Sequence, residues 1–264
     1  MLPNTLSAEQ LQFWAKNHYL VLRQPFGSST VSSIREWTDE LASWPETPGK
    51  WMKYFETGET GDQRMLCRVE NFIQHHHQFK ELIEGEATLA LLSALMKEPA
   101  VLFKEKINFK LPGGSGFAPH QDAPAFTSFG HTFHITMMIT IDEATVDNGC
   151  LEFSTGVPMY ENLPTEADGT IARSVVENLP WTPLETKAGD IVFFDSYIPH
   201  RSPANTSDQS RRAAYVTYNR ASEGSVRDRY FADKRSVFPP ECERVEGVDY
   251  AATAGPYNLG NPIR

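Results

Sequence analysis

The stretch from Phe103 to Asp122, FKEKINFKLPGGSGFAPHQD, constrains the fold more than any other part of the chain. Phe103, Glu105, Ile107 and Phe109 alternate with Lys104, Lys106, Asn108 and Lys110. A period of two marks a strand whose faces meet different surroundings. The alternation does not say which face points inward, and by default the apolar set is core. Pro112-Gly113-Gly114-Ser115-Gly116 lets the chain turn. No helical pattern and no Gly-Lys-Ser/Thr follow it, so it is not a phosphate-binding loop. The stretch ends in His120-Gln121-Asp122. In an extended strand, side chains two apart share a face, so His120 and Asp122 can hold one metal from one side. A third ligand stands at His200, in Pro199-His200-Arg201-Ser202, just after the apolar run Ile191 to Phe194. Two histidines and one carboxylate form the facial triad that suits non-haem Fe(II) and leaves positions open.

Arg211 lies eleven residues past His200 and opens another strand-like run, Ala213 to Tyr218. A buried guanidinium there can grip a carboxylate through two charge-assisted bonds, which makes Arg211 the candidate anchor for the distal carboxylate of 2-oxoglutarate. With Asp147-Asn148-Gly149-Cys150-Leu151 and Ala188-Gly189-Asp190, these motifs stand in an order and spacing that resembles the phytanoyl-CoA dioxygenase (PhyH) family. That family of Fe(II)/2-oxoglutarate oxygenases includes ectoine hydroxylase. The resemblance runs from about Leu6 to the C-terminus.

The resemblance implies a mostly β fold with flanking helices, built on a double-stranded β-helix (jelly-roll, cupin-like). It implies one domain: an N-terminal layer of helices and strands (1–100), a core carrying the metal site (101–220) and a wrapping tail (221–264). His120, Asp122 and His200 would hold Fe(II). Arg211 would hold 2-oxoglutarate with Ser202 and Lys110, and the strand bearing Thr136 and Met138 would face it. O2 would take the last position. Lys104, Asn108, Phe126, Arg68 and His134 become candidates for the substrate mouth, with Asn71 beside Arg68. The reaction implied is hydroxylation of a small molecule with decarboxylation of 2-oxoglutarate to succinate and CO2. Asp122 argues against a halogenase, which lacks the carboxylate so that chloride can bind.

Elsewhere the chain punctuates itself clearly. Ser7 and Gln10 form a capping box before a helix carrying Leu11, Trp14 and Ala15, which yields near His18 to a strand, Tyr19 to Leu22. A second amphipathic helix spans Val31 to Trp44. Trp51 to Phe55 and Met65 to Val69 read as strands around a turn at Glu59 to Asp62. His75-His76-His77 is set aside as a metal site, because adjacent residues share no face; it opens a helix from Gln78 to Met96. His134 to Ile141 alternates again, and His134 could equally be a hydrogen-bonded core histidine. Asp147-Asn148-Gly149 has the signature of a type I′ turn. Glu161 to Thr182 is irregular and is expected at the barrel mouth, where such loops set substrate choice.

Bulk properties narrow the partners. The 264 residues carry a net charge of −10, which disfavours nucleic acid and anionic membranes. Three scattered cysteines, Cys67, Cys150 and Cys242, predict free thiols and a cytoplasmic setting. No stretch has the apolar length of a membrane span, and no secretory signal is visible. Arg68, Lys104 and His134 near the mouth favour a small anionic or zwitterionic substrate, a carboxylate or phosphonate, over a greasy secondary metabolite. The alternatives are a secondary-metabolite oxygenase catalysing hydroxylation, desaturation or ring closure, a catalytically silent binding protein on the same fold, and a metal-dependent hydrolase or isomerase. Oligomeric state is not readable.

Overall fold

The computed structural model describes residues 2–57, 63–158, 160–250, 254–258, 260 and 263. Seven antiparallel strands form the larger sheet: β1 (Tyr19–Leu22), β2 (Met52–Thr57), β3 (Arg64–Glu70), β4 (Ala100–Lys110), β6 (His134–Thr140), β9 (Ile191–Asp195) and β11 (Arg211–Arg220). Their order is β1-β9-β6-β11-β4-β3-β2. The smaller sheet, in order β5-β10-β7-β8, contains β5 (Phe117–His120), β7 (Leu151–Ser154), β8 (Trp181–Leu184) and β10 (His200–Ser202). Met138, Val192, Phe194 and Tyr215 of the larger sheet pack with Leu151 and Phe153 of the smaller. The two sheets make the expected jelly roll, and β1 to β3 extend its larger sheet.

The main apolar core lies outside the roll. Helices α1 (Ala8–Asn17), α2 (Ser28–Ser43), α3 (His77–Glu84) and α4 (Glu86–Met96) bury their inner residues, such as Trp14, Ile34, Phe79 and Leu92, against the back of the larger sheet. Ile107 and Phe109 of β4 join that core. Period two then turns Lys104, Lys106, Asn108 and Lys110 into the space between the sheets. The default assignment of the apolar face to the barrel interior is therefore reversed. Phe103 breaks the pattern: the register shifts between Thr217 and Tyr218, opposite Lys104 and Leu102. This places Phe103 in a separate cluster with Phe126, Phe129, Tyr230 and Phe231. On the outer face Glu105 is fully buried; it accepts from the backbone N–H groups of Phe72 and Ile73 and pairs with Arg227 of α7 (Arg227–Val237).

The Ser7 capping box forms, although Leu11 stays 36% exposed and Trp14 is the helix's buried residue. His18 ends α1 in the left-handed region at φ 63°, with its ring 3.1 Å from Asp195. His76 caps α3 by accepting from the Phe79 N–H, so the histidine triplet is a helix start. The segment Gln78 to Met96 is two helices. Gly85 is extended (φ −67°, ψ 152°), and a Cβ there would stand 2.4 Å from the Glu81 carbonyl oxygen. The Asp147-Asn148-Gly149 turn is not type I′, which needs two positive φ angles; only Gly149 has one, at 74°. The expected turn from Glu59 to Asp62 lies outside the described residues.

Candidate metal centre and active site

His120, Asp122 and His200 converge, each offering one ligand atom with all three within 4.8 Å of one another. The histidines meet because β5 and β10 pair His120 with His200 in register, with ring centroids 4.2 Å apart. Asp122 arrives by a different route from the one expected. The strand ends at His120, and Asp122 has helical angles (φ −76°, ψ −29°) at the start of the short α5 (Ala123–Phe126). Gln121 points away and fastens the loop after residue 160. Its amide donates to the carbonyls of Glu161 and Tyr197 and accepts from the Leu163 N–H.

The donor set fits a divalent metal. Each Nδ1 sits against a carbonyl, Ala118 for His120 (2.7 Å) and Ile198 for His200 (3.1 Å), which leaves each Nε2 as the ligand. Burial, and then His200, push His120 down to about 3, so its imidazole is neutral. Burial likewise lowers His200. Burial alone would raise Asp122, but His200, Lys104 and His120 outweigh it and hold the carboxyl below its usual range.

Two cavities share Lys104, Lys106, His120 and Asp122 as walls. One, of about 490 Å³, runs past Thr136, Asn108 and Tyr215 to His200 and Ser202. Arg211 lies at that end, 2% exposed; it donates from Nη1 to Ser202 Oγ (3.3 Å) and from Nη2 to the Tyr215 hydroxyl (3.2 Å). Its Nε is buried with no partner among the described residues. Lys110, paired in register with Arg211, donates to Ser202 Oγ and to the Pro203 and Gly149 carbonyls. Neither Arg211 nor Lys110 lines the cavity itself; both stand directly behind its Ser202 and Tyr215 wall, where the guanidinium and an adjacent basic group suit a carboxylate.

The other cavity, of about 350 Å³, is lined by Arg68, Lys104, Lys106 and Lys234, by the carboxylates of Glu70 and Asp122, and by Ala125, Phe126, Tyr230 and Tyr257. Glu70 accepts from Lys234 (2.6 and 2.7 Å) and from Arg68 Nη1 (3.0 Å). Lys104 sits over the rings of Phe126 and Tyr230, and Lys106 over Tyr215.

The expected residues thus divide. Lys104, Asn108, Thr136, Phe126 and Arg68 line one or both cavities. His134 lines neither: it is buried behind Phe103 and Phe126, 3.1 Å from His131, as the core histidine that was the other reading. Met138 packs in the apolar cluster between the sheets, not on a cavity wall. Asn71 accepts from Arg227. No residue of the 161–182 loop lines either cavity. Sequence reasoning passed over Lys106, Glu70, Tyr215, Lys234, Tyr230 and Tyr257. Parity could have found Lys106 between Lys104 and Asn108, Glu70 two after Arg68, and Tyr215 four after Arg211. The tail residues carry no such signal.

The family model for phytanoyl-CoA dioxygenase (PhyH) matches residues 14–213. The chain belongs to the phytanoyl-CoA dioxygenase family. Among its relatives, the 2-aminoethylphosphonate dioxygenase of an uncultured bacterium, HF130_AEPn_1, is 54% identical over 256 residues, covering 97% of this chain and 98% of that protein. The methylphosphonate hydroxylase of Gimesia maris is 40% identical over 234 residues (89% and 88%). The crystal structure of EctD from S. alaskensis with 2-oxoglutarate and 5-hydroxyectoine shares the fold at a TM-score of 0.71 and 17% identity, covering 83% of this chain and 77% of that one. This PhyH member is a 2-oxoglutarate-dependent non-haem iron dioxygenase, with His120, Asp122 and His200 as its metal triad. Among the described residues, no helix is long and apolar enough to cross a membrane.

Proposed function

We propose that this enzyme hydroxylates a small phosphonate, in the manner of 2-aminoethylphosphonate, and that the whole chain acts as one catalytic unit. The observation that carries the reading is the 350 Å³ cavity against the metal triad, with four cationic side chains facing two carboxylates. Asp122 belongs to the metal, so the wall is basic: burial lowers its lysines, and a bound dianion draws protons onto them beside the Arg68 guanidinium. About 350 Å³, open mouth included, leaves room for a compact substrate and not for an acyl-CoA. The names of the two phosphonate-directed relatives support the same class.

Arg211, with Ser202 and Lys110, would grip the distal carboxylate of 2-oxoglutarate. Bound Fe(II), with 2-oxoglutarate and O2, supplies the insertion of one oxygen atom into a substrate C–H bond while the keto acid leaves as succinate and CO2. Lys104 and Lys106 neutralise the substrate's charge and stand between the two cavities, so cosubstrate and substrate are held on separate sides. Neither ammonium donates a hydrogen bond to the protein among the described residues, which leaves their protons for a ligand. Phe126 and Tyr257 help to keep water from the reacting carbon.

The test is succinate release with a panel of aminoalkylphosphonates, alkylphosphonates, small carboxylates and lipophilic metabolites. A phosphonate should stimulate succinate formation and yield a product one oxygen heavier. Coupled turnover confined to carboxylates or lipophilic compounds would reject the substrate class and leave the reaction class standing.

A further inference from the structure

We infer that α7 (Arg227–Val237) and the 3-10 turn Gly255–Asn258, which lie beyond the family-matched 14–213, form the substrate-selecting wall of this site. Within that wall, Lys234 is the specificity-determining residue that favours a doubly charged tetrahedral oxyanion over a carboxylate. The inference rests on the phosphonate reading above.

Selection was expected from the loop 161–182, yet that loop lines neither cavity. The outer wall of the substrate cavity comes instead from Tyr230 and Lys234 on α7 and from Tyr257 in the 3-10 turn Gly255–Asn258. Lys234 is 1% exposed and reaches both oxygens of Glu70. An ammonium has three protons; two go to Glu70, no acceptor among the described residues takes the third, and Nζ stands at the cavity edge 5.0 Å over the Tyr54 ring. Glu70 stands in register opposite Lys106 and also takes Arg68 Nη1. The tail is thereby fastened to β3, which carries Arg68 and pairs with the β4 strand that carries Lys104 and Lys106.

Charge then decides the preference. Arg68 and three lysines face Glu70, with Asp122 assigned to the metal; burial lowers the lysines, Lys234 to about 7, so the full excess of three is reached when a bound dianion holds their protons. A phosphonate dianion offers two charges and three acceptors; a carboxylate offers one charge and two acceptors. Removing Lys234 lowers the excess and frees Glu70 to compete with substrate for Arg68. A buried Glu–Lys pair adds little stability over a neutral pair of similar shape, so a double neutral variant separates recognition from folding.

The experiment measures kcat and KM by succinate release for 2-aminoethylphosphonate and its carboxylate analogue 3-aminopropanoate. The anaerobic visible band of the Fe(II)/2-oxoglutarate complex reports the cosubstrate side. For Lys234→Met, kcat/KM for the phosphonate should fall about 10- to 100-fold, as expected for a lost charge-assisted hydrogen bond, with most of the change in KM. The carboxylate should be affected far less and the visible band should be unchanged. Glu70→Gln/Lys234→Met restores the net charge of the wall and leaves no carboxylate competing for Arg68, so it should recover the melting temperature and part of the phosphonate KM; the share lost with the Lys234 N–H should not return. A double variant with wild-type KM, or a Lys234→Met variant that loses both substrates equally, would overturn the assignment while the phosphonate reading survives. Wild-type enzyme that turns over no phosphonate would overturn both.

Discussion

Lys110 ties 2-oxoglutarate binding to pH in a direction the structure specifies. It is 2% exposed, and its ammonium is ringed by Ser202, Pro203 and Gly149 oxygens. Burial, and then the adjacent Arg211, push it down to about 6, while Cys67, Glu56 and Cys150 act the other way. At pH 8 only about one 2-oxoglutarate-free molecule in a hundred carries that charge, two units above its pKa. A dianion placed against Arg211 draws a proton onto Lys110. Binding at pH 8 should therefore take up close to one proton, and Kd should weaken about tenfold from pH 7 to pH 8. The assay is anaerobic titration calorimetry of the Fe(II)-loaded enzyme in two buffers of different ionisation enthalpy. Lys110→Met should bind more weakly, with a flat pH profile and no proton uptake. A wild-type Kd constant from pH 6.5 to 8.5 with no proton uptake would refute the argument. The same depression requires the 2-oxoglutarate-free fold to gain stability as pH rises from about 6 towards the free-lysine value, by about 1.4 kcal/mol per pH unit from this group.

Three further outcomes are expected. Asp122→Ala removes the only carboxylate of the triad, so the visible Fe(II)/2-oxoglutarate band and substrate-coupled succinate should both disappear; retained coupled turnover would exclude Asp122 as a ligand. His134 is buried beside His131 and Phe126 yet lines neither cavity, so His134→Gln should lower the melting temperature while the substrate KM stays within about threefold of wild type; a large KM effect measured by succinate release would put His134 back against the substrate. Gly149→Ala places a Cβ 2.2 Å from the Pro203 carbonyl oxygen at φ 74°, and the backbone strain alone costs about 1–3 kcal/mol. Its melting temperature should drop and its 2-oxoglutarate affinity with it, because the Gly149 carbonyl accepts from both Ser202 and Lys110.

What the sequence makes legible and what it hides follow from how each side chain reaches the site. His120, His200, Arg211 and Ser202 lie on strands or strand ends whose register brings them together, so short motifs report them. Asp122 was legible for an incomplete reason: its carboxylate converges through a helix start, not through strand parity. The inward face of β4 was ambiguous because hydrophobicity assumes one core, whereas here the apolar core lies between sheet and helices and the roll's interior is charged. Once Lys110 is turned inward, parity compels Lys106 and Asn108 to follow, and cross-strand pairing brings Glu70 and Tyr215 beside Lys106. Lys234 obeys no such rule. It is separated from Glu70 by 164 residues and comes from a helix with little apolar periodicity, so only the folded chain places it there. The metal histidines, Arg211 and Ser202 thus sit on strands that local pattern can read. On the proposal above, substrate choice rests on a long-range ion pair outside that pattern, and only the folded chain brings its two partners together.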